Sequence, residues 1–190
     1  MEIGVLALQG DFEEHVNMLN SLGANPRLVK LPKHLEGLRG LIIPGGESTT
    51  IGKLATAYEL IEPLRAFALE TPVWGTCAGA IILSKDVQRE QPLLNVMDIT
   101  VERNAFGRQV DSFEIDLPAP FLENGAAQPY HAVFIRAPII KSVTGEAKVL
   151  LTLPDGRIVA AQQGHLLATS FHPELTGDIR FHRYFMEMTL

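Results

Sequence analysis

Short apolar runs alternate with stretches of helical periodicity through the first half of the chain. The runs at residues 3–8, 27–31, 40–43 and 72–75 predict buried strands, and the stretches between them predict helices. Because strands joined through helices return to one sheet by right-handed crossovers, this order predicts a mostly parallel, doubly wound sheet.

Capping residues mark where several of these helices begin. Asp11 and Glu14 have the spacing of a capping box, so they predict the start of the first helix. Ser48 or Thr49 is predicted to cap the helix that follows the third strand. Asp178 is predicted to begin the last helix. Helical segments are also expected over residues 61–69 and 80–83.

The second half changes to short strands, which are predicted at residues 98–101, 112–117, 132–135, 149–153, 158–162 and 166–170. Pro154-Asp155-Gly156 lies between two of them and is typical of a hairpin turn. The pattern therefore predicts a three-layer α/β fold, with a mostly parallel central sheet flanked by helices and added short antiparallel strands. Since we find no linker or repeat, residues 1–190 are predicted to form a single domain.

Composition and charge narrow the classes of function. The 190 residues are 46% hydrophobic and 20% charged, which is typical of a globular protein. With 16 Lys and Arg against 22 Asp and Glu, and no basic run, a nucleic-acid partner is not expected. No apolar run approaches the ~18 residues that a membrane span needs. We therefore expect a soluble, cytoplasmic protein with no membrane partner.

The single cysteine lies in a sequence that suits a reactive nucleophile. Gly75-Thr76-Cys77-Ala78-Gly79 matches the nucleophile elbow, in which small residues allow a sharp turn between a strand and a helix. The helix N-terminus behind Cys77 favours the thiolate, which is the reactive form. The alternative is a small cysteine buried in the core. One cysteine also excludes a disulfide within the chain and a four-cysteine zinc site.

His172-Pro173-Glu174 is a candidate partner for that nucleophile. Pro173 favours an extended conformation at His172, and residues two apart in an extended segment point the same way. Glu174 is therefore expected to hold the imidazole of His172 while the ring faces the nucleophile, as in a catalytic triad. A surface turn with solvated side chains is the alternative.

A glycine-rich loop at residues 44–50 follows the third predicted strand. A phosphate-binding loop is one interpretation, but five residues rather than four separate Gly46 from Gly52, and Leu54 stands where such a loop carries Ser or Thr. The loop is better interpreted as a source of backbone N–H groups that stabilise an oxyanion together with the N–H of Ala78. A plain turn into a helix is the alternative.

Taken together, these segments resemble the class I, triad-type glutamine amidotransferases. Within that family, the chain most resembles the enzymes that serve vitamin B6 synthesis, which are the glutaminase subunits of pyridoxal 5′-phosphate synthase. The similarity runs along essentially the whole chain in the order of the family. It is carried by residues 3–10, 44–50 and 74–79, by Arg103-Asn104-Ala105-Phe106-Gly107-Arg108-Gln109, by residues 134–138 and by residues 172–174.

The resemblance implies hydrolysis of L-glutamine to L-glutamate and ammonia through a thioester. It implies that Cys77 attacks the side-chain amide, His172 moves the protons and Glu174 orients His172. Gly46 and Ala78 would supply the oxyanion N–H groups. Contacts to glutamine are implied for Gly46, Glu47, Ser48, Arg103, Ile135 and Arg136. Of the two arginines, Arg103 is the better candidate for the α-carboxylate, since a guanidinium can pair with it through two hydrogen bonds.

The resemblance also implies a partner protein and no metal or cofactor. Family members pass ammonia to a separate barrel-shaped synthase subunit, and this chain has no room for a second, acceptor domain. A cysteine hydrolase of γ-glutamyl or peptide substrates on a similar fold is the alternative enzyme. A binding or regulatory module with an inactive triad is the non-enzymatic alternative.

Overall fold

The computed structural model describes residues 1–103 and 112–190. Strands and helices alternate through the first half, as the apolar pattern predicts, although several ends differ by one or two residues. The strands are β1 (Glu2–Leu6), β2 (Asn25–Val29), β3 (Gly40–Ile43) and β4 (Val73–Thr76). The helices are α1 (Phe12–Ser21), α2 (Ser48–Ala57), α3 (Ile61–Glu70) and α4 (Ala78–Leu83).

The second half consists mainly of strands. They are β5 (Ser84–Asp86), β6 (Met97–Glu102), β7 (Ser112–Leu117), β8 (Tyr130–Ile135), β9 (Ile139–Val143), β10 (Lys148–Thr152), β11 (Ile158–Gln163) and β12 (Leu166–Thr169). Two short 3-10 turns cover Pro32–Leu35 and Pro173–Leu175, and the last helix is α5 (Arg180–Glu187). The prediction did not include β5 or β9.

Ten strands of the described residues form one sheet in the order β2-β1-β3-β4-β12-β11-β9-β6-β5, with β10 paired to β11. The first five in this order run parallel. Antiparallel pairs join β12 to β11, β11 to β9 and β9 to β6, while β7 and β8 form a separate antiparallel hairpin. The predicted fold class is confirmed, and the antiparallel strands extend the main sheet as well as forming a second, small one.

Each face of the central sheet packs against its own apolar core, which explains why the inner strands β3 and β4 are buried along their whole length. In β3, Leu41 and Ile43 face one core, together with residues of α2, α3 and α4. Ile42 faces the other core, with Trp74 and with residues of α1, α5 and the β7–β8 hairpin. Successive residues of the strand thus pack into the cores on opposite faces of the sheet, because side chains alternate between the two faces along a strand.

The predicted caps differ from those in the structure. Asp11 stands at the N-cap position of α1 but makes no capping hydrogen bond with its side chain. Helix α2 is capped by Glu47, not by Ser48 or Thr49, because the helix begins at Ser48 and the Glu47 carboxylate reaches the Thr50 N–H at 2.7 Å. The capping prediction for α2 was therefore one or two residues too late. In the described parts of the chain, no helix has the length and apolar character needed to cross a membrane.

Candidate active site

Cys77 occupies a sharp turn between β4 and α4. Its backbone angles, φ 48° and ψ −106°, are unfavourable for a residue with a side chain. A Cβ at Gly75 would lie 2.4 Å from the Gly79 carbonyl group, and a Cβ at Gly79 would lie 1.9 Å from Ile43 O. Only glycine fits at either flank, so the spacing that identifies the elbow in the sequence has a steric cause.

Parallel pairing of β4 with β12 brings His172 to the same sheet edge as Cys77. Thr76, the last residue of β4, pairs with Thr169, the last residue of β12. The Cys77 N–H donates to Thr169 O at 2.8 Å, and the His172 N–H donates to Val133 O at 2.8 Å. The Cys77 side chain lies close enough to the His172 ring to help raise the pKa of the imidazole. The structure thus joins two residues that the sequence separates widely.

Glu174 holds the other side of the His172 ring. Its Oε1 lies 2.6 Å from His172 Nδ1, and both residues are buried. The contact forms within the 3-10 turn that starts at Pro173 rather than along an extended segment. The expected pair is therefore present, but its local geometry is a turn.

Burial and hydrogen bonding act in opposite directions on these groups. Desolvation alone would lower the pKa of His172, but the hydrogen bonds with Cys77 and Glu174 outweigh it and raise that pKa. Burial raises the pKa of Glu174, and the hydrogen bond from His172 opposes the shift. The net effect is a raised pKa for the His172 imidazole, which lies between the Glu174 carboxylate and the Cys77 sulfur.

The glycine-rich loop between β3 and α2 packs directly against His172. A Cβ at Gly45 would lie 2.7 Å from His172 Cε1. Gly46 has a φ of +149°, and a Cβ there would lie 2.7 Å from Gln9 Oε1, which also accepts the Glu47 N–H at 2.7 Å. Close approach and backbone conformation both require glycine here.

The two oxyanion candidates, Gly46 and Ala78, lie at the same edge of the sheet. Ala78 is the first residue of α4, so its N–H has no partner within the helix. Gly79 contacts the carbonyl of Ile43, which is three residues before Gly46. The N-terminus of α4 and the glycine loop are therefore packed side by side next to Cys77.

Glu47, Ser48 and Arg103 come together through contacts that include Gln91. Arg103 Nη2 lies 2.9 Å from Glu47 Oε1, and Arg103 Nη1 lies 3.4 Å from Gln91 Oε1. The buried Ser48 hydroxyl donates to the same Gln91 oxygen at 3.3 Å. Desolvation would raise the pKa of Glu47, but hydrogen bonds from Thr49 and Thr50 hold that pKa at about 2. Gln91 has no motif around it that could have identified it from sequence.

Ile135 and Arg136 lie at the rim of the same region. Ile135 ends β8, two residues beyond Val133, whose carbonyl accepts the His172 N–H. Arg136 follows with a φ of 42° and is exposed. The remainder of the motif that begins at Arg103, residues 104–109, lies outside the described residues.

Asp11 contributes a second carboxylate that the sequence predicted only as a helix cap. Its Oδ2 lies 3.7 Å from His172 Nδ1, the same nitrogen that Glu174 Oε1 contacts at 2.6 Å. Ligand-type atoms of Asp11, His172 and Glu174 lie within 4.8 Å of one another. The closest of these contacts is the one between His172 Nδ1 and Glu174 Oε1, so Asp11 lies beside a pair that is already formed.

Comparison with known proteins identifies the family. The family model described as the SNO glutamine amidotransferase family matches residues 5–190. A relative from Herpetosiphon aurantiacus, named pyridoxal 5′-phosphate synthase subunit PdxT, is 58% identical over 191 residues, which cover 98% of this chain and 99% of the relative. A relative of the same name from Roseiflexus sp. (strain RS-1) is 55% identical over 192 residues and covers 99% and 100% of the two chains.

Solved structures agree in fold. One described as a glutamine amidotransferase superposes with a TM-score of 0.92 at 50% identity and covers 98% of both chains. A putative GMP synthase protein from Thermoplasma acidophilum superposes with a TM-score of 0.70 at 15% identity and covers 100% of this chain and 94% of its own, which is evidence for the fold alone. Because the family match extends from residue 5 to the C-terminus and the relatives are more than half identical over nearly their full length, this chain belongs to the SNO glutamine amidotransferase family.

Proposed function

We propose that the chain hydrolyses L-glutamine to L-glutamate and ammonia at Cys77 and supplies the ammonia to a separate synthase subunit for pyridoxal 5′-phosphate biosynthesis. The observation that carries this proposal is the buried His172, which lies between Cys77 and Glu174 beside a glycine loop. The names of the relatives as pyridoxal 5′-phosphate synthase subunits support the choice of pathway. In this proposal residues 1–190 act as one glutamine amidotransferase domain.

In the first half of the reaction, Cys77 Sγ bonds to the amide carbon of glutamine and His172 takes the thiol proton. The carbonyl oxygen becomes an oxyanion, which the N–H groups of Gly46 and Ala78 stabilise. His172 then returns the proton to the amide nitrogen, the C–N bond breaks and ammonia leaves. The product on Cys77 is a γ-glutamyl thioester.

In the second half, water replaces ammonia. His172 takes a proton from the water as its oxygen bonds to the thioester carbon, and the same N–H groups stabilise the second oxyanion. The C–S bond breaks, the proton returns to sulfur, and glutamate leaves. Throughout, Glu174 keeps the proton of the imidazole on Nδ1, so that the other ring nitrogen serves Cys77.

We predict that replacing His172 lowers kcat more than replacing Glu174. His172→Ala removes the group that carries the proton, so kcat should fall by about 10²–10⁴-fold. Glu174→Ala removes only orientation and electrostatic support, so its kcat should remain roughly tenfold or more above that of His172→Ala. Steady-state glutaminase assays check this at temperatures where both variants remain folded. A Glu174 variant that is slower than the His172 variant at equal stability would reverse the assigned roles.

We predict that Arg103→Ala raises KM for glutamine far more than it lowers kcat. The α-carboxylate lies away from the reacting amide, so its contact is similar in the ground state and the transition state. Loss of a charge-assisted hydrogen bond of about 1.5–3 kcal/mol corresponds to roughly ten- to hundredfold weaker binding. Arg183→Ala is the matched control. It removes an arginine of α5 that is paired with Glu123, and it should leave KM unchanged. An unchanged KM in Arg103→Ala would move the carboxylate contact to Arg136.

The chemical behaviour of ammonia in water supports the proposal of a partner protein. Ammonia is mostly protonated in water at neutral pH and is then no longer a nucleophile, so an acceptor must receive it before it reaches solvent. We therefore propose a hetero-oligomer in which the synthase subunit receives ammonia from the edge of the sheet where Cys77 lies.

The proposed function is tested by adding free glutamine to the purified chain with and without the synthase subunit. Glutamate release and pyridoxal 5′-phosphate formation are measured together. We expect both products from glutamine in the complex. Preference for γ-glutamyl peptides over free glutamine, with no effect of the synthase, would instead identify a cysteine hydrolase.

A further inference from the structure

Two buried histidines lie behind the triad, on the side of Glu174 that faces away from His172. His15 comes from the middle of α1 and His182 from α5, and neither is exposed to solvent. His15 Nδ1 lies 2.9 Å from His182 Nε2, and His15 Nε2 lies 3.2 Å from Thr76 Oγ1. Trp74 closes the site with its ring edge-on to both imidazoles. These groups form a polar cluster within an apolar core.

The cluster reaches the triad at the second oxygen of Glu174. Glu174 Oε1 is engaged by His172, whereas Oε2 is buried and makes no well-formed hydrogen bond with any described residue. The nitrogen that faces it is His15 Nε2, at 3.3 Å. A buried carboxylate oxygen without a hydrogen-bond donor costs free energy. A proton on His15 Nε2 would stabilise its contact with Glu174 Oε2, and a bare Nε2 would destabilise it.

Protonation of the two histidines follows from their surroundings. Burial lowers the pKa of His15 well below its usual value and lowers that of His182 to about 3, so each ring is neutral and carries one N–H. If His15 carried its proton on Nδ1, its bare Nε2 would face the carboxylate oxygen and the two lone pairs would repel. With His182 Nε2–H donating to His15 Nδ1, the proton of His15 lies on Nε2, where it faces two oxygens, Thr76 Oγ1 at 3.2 Å and Glu174 Oε2 at 3.3 Å.

We propose that His15 is a positioning residue for the glutaminase reaction, because its Nε2–H holds Glu174 Oε2 while His182 fixes the tautomer of His15. Glu174 is then anchored at both oxygens, with Oε1 directed at His172 Nδ1. The ordered chain runs from His182 through His15 and Glu174 to His172 and Cys77. This inference rests on the proposed function, since it assigns a role within that reaction.

The proposal predicts a specific order among variants of His15. A glutamine side chain places its amide nitrogen near the position of imidazole Nε2, whereas an asparagine side chain places its amide nitrogen near that of Nδ1. We expect His15→Phe to lower kcat about ten- to hundredfold, as for other residues that orient a catalytic group, with KM for glutamine within about twofold of wild type. His15→Gln should recover most of the lost kcat, and His15→Asn should not.

The measurement is steady-state glutamine hydrolysis in the complex with the synthase subunit, with melting temperatures determined in parallel. A role in packing alone would make kcat follow the melting temperatures of the three variants rather than the position of the donor. Since His15→Phe could fail to fold, the comparison of His15→Gln with His15→Asn decides the question by itself. His165→Phe is the matched control, because His165 donates to Ala68 O at the opposite end of β12, and it should leave kcat unchanged.

Wild type and Cys77→Ala are assayed alongside to separate two kinds of failure. An active wild type and an inactive Cys77→Ala, with His15→Gln and His15→Asn equal to each other in kcat, would overturn the role of His15 alone. A wild-type complex without glutaminase activity would overturn the proposed function and this inference together.

Discussion

Cys77→Ala is expected to abolish glutamine hydrolysis while leaving the fold and the binding of the synthase subunit intact. In the proposed mechanism the change removes the sulfur that bonds to the substrate, and removal of a catalytic nucleophile costs roughly 10⁴–10⁶-fold in kcat. Alanine has the same restrictions as cysteine at positive φ, so the strained turn at φ 48° is neither relieved nor worsened. Glutamate release by the purified complex is the measurement.

Ammonium salts provide the control for that variant. Because the acceptor chemistry belongs to the synthase subunit, a complex that contains Cys77→Ala should still form pyridoxal 5′-phosphate from added ammonium. Loss of both the glutamine-dependent and the ammonium-dependent reaction would indicate a damaged complex. Retention of glutaminase activity within tenfold of wild type would exclude Cys77 as the nucleophile.

Gly79→Ala is expected to destabilise the protein strongly and to displace the nucleophile. The new Cβ would lie 1.9 Å from Ile43 O, and no side-chain rotation can relieve a clash between a Cβ and a backbone oxygen. We expect a loss of at least about 3 kcal/mol in the free energy of unfolding, the upper part of the range for overpacked sites. For a domain of this size, that loss lowers the melting temperature by roughly 6–12 °C.

Gly177→Ala is the matched control for the elbow glycine. Apart from its chain neighbours, no atom of the described residues lies within 4 Å of a Cβ built at Gly177, and its φ is not in the left-handed region. The same substitution there should leave the melting temperature within about 2 °C of wild type. Equal melting temperatures for the two variants would contradict the steric explanation of the elbow.

The sequence is most informative where a structural requirement is local. Residues 3–6 of β1, 40–43 of β3 and 73–75 of β4 are apolar because both faces of these strand segments are buried in the two cores. The elbow is recognisable because the two close backbone approaches at Gly75 and Gly79 each demand glycine. The pairing of His172 with Glu174 is likewise a contact between near neighbours.

Features that depend on distant partners could not be predicted in this way. Nothing near His15 in sequence indicates that it meets His182, 167 residues later, because that contact depends on the packing of α1 and α5 on the same face of the sheet. Asp11 has the spacing of a helix cap, yet its carboxylate lies beside His172 once the glycine loop is folded. Strands β5 and β9 were missed because their pairing partners, rather than their own patterns, define them, and β5 has only three residues.

The central claim, that Cys77 bonds covalently to the glutamyl group, is tested most directly by labelling the complex with a glutamine-like diazo ketone. Mass spectrometry of the digested chain identifies the modified residue, and residual glutaminase activity is followed in the same samples. We expect one label per chain on Cys77, loss of activity in proportion to labelling, and protection by glutamine. Loss of activity with Cys77 unmodified, or labelling of a different residue, would contradict the claim.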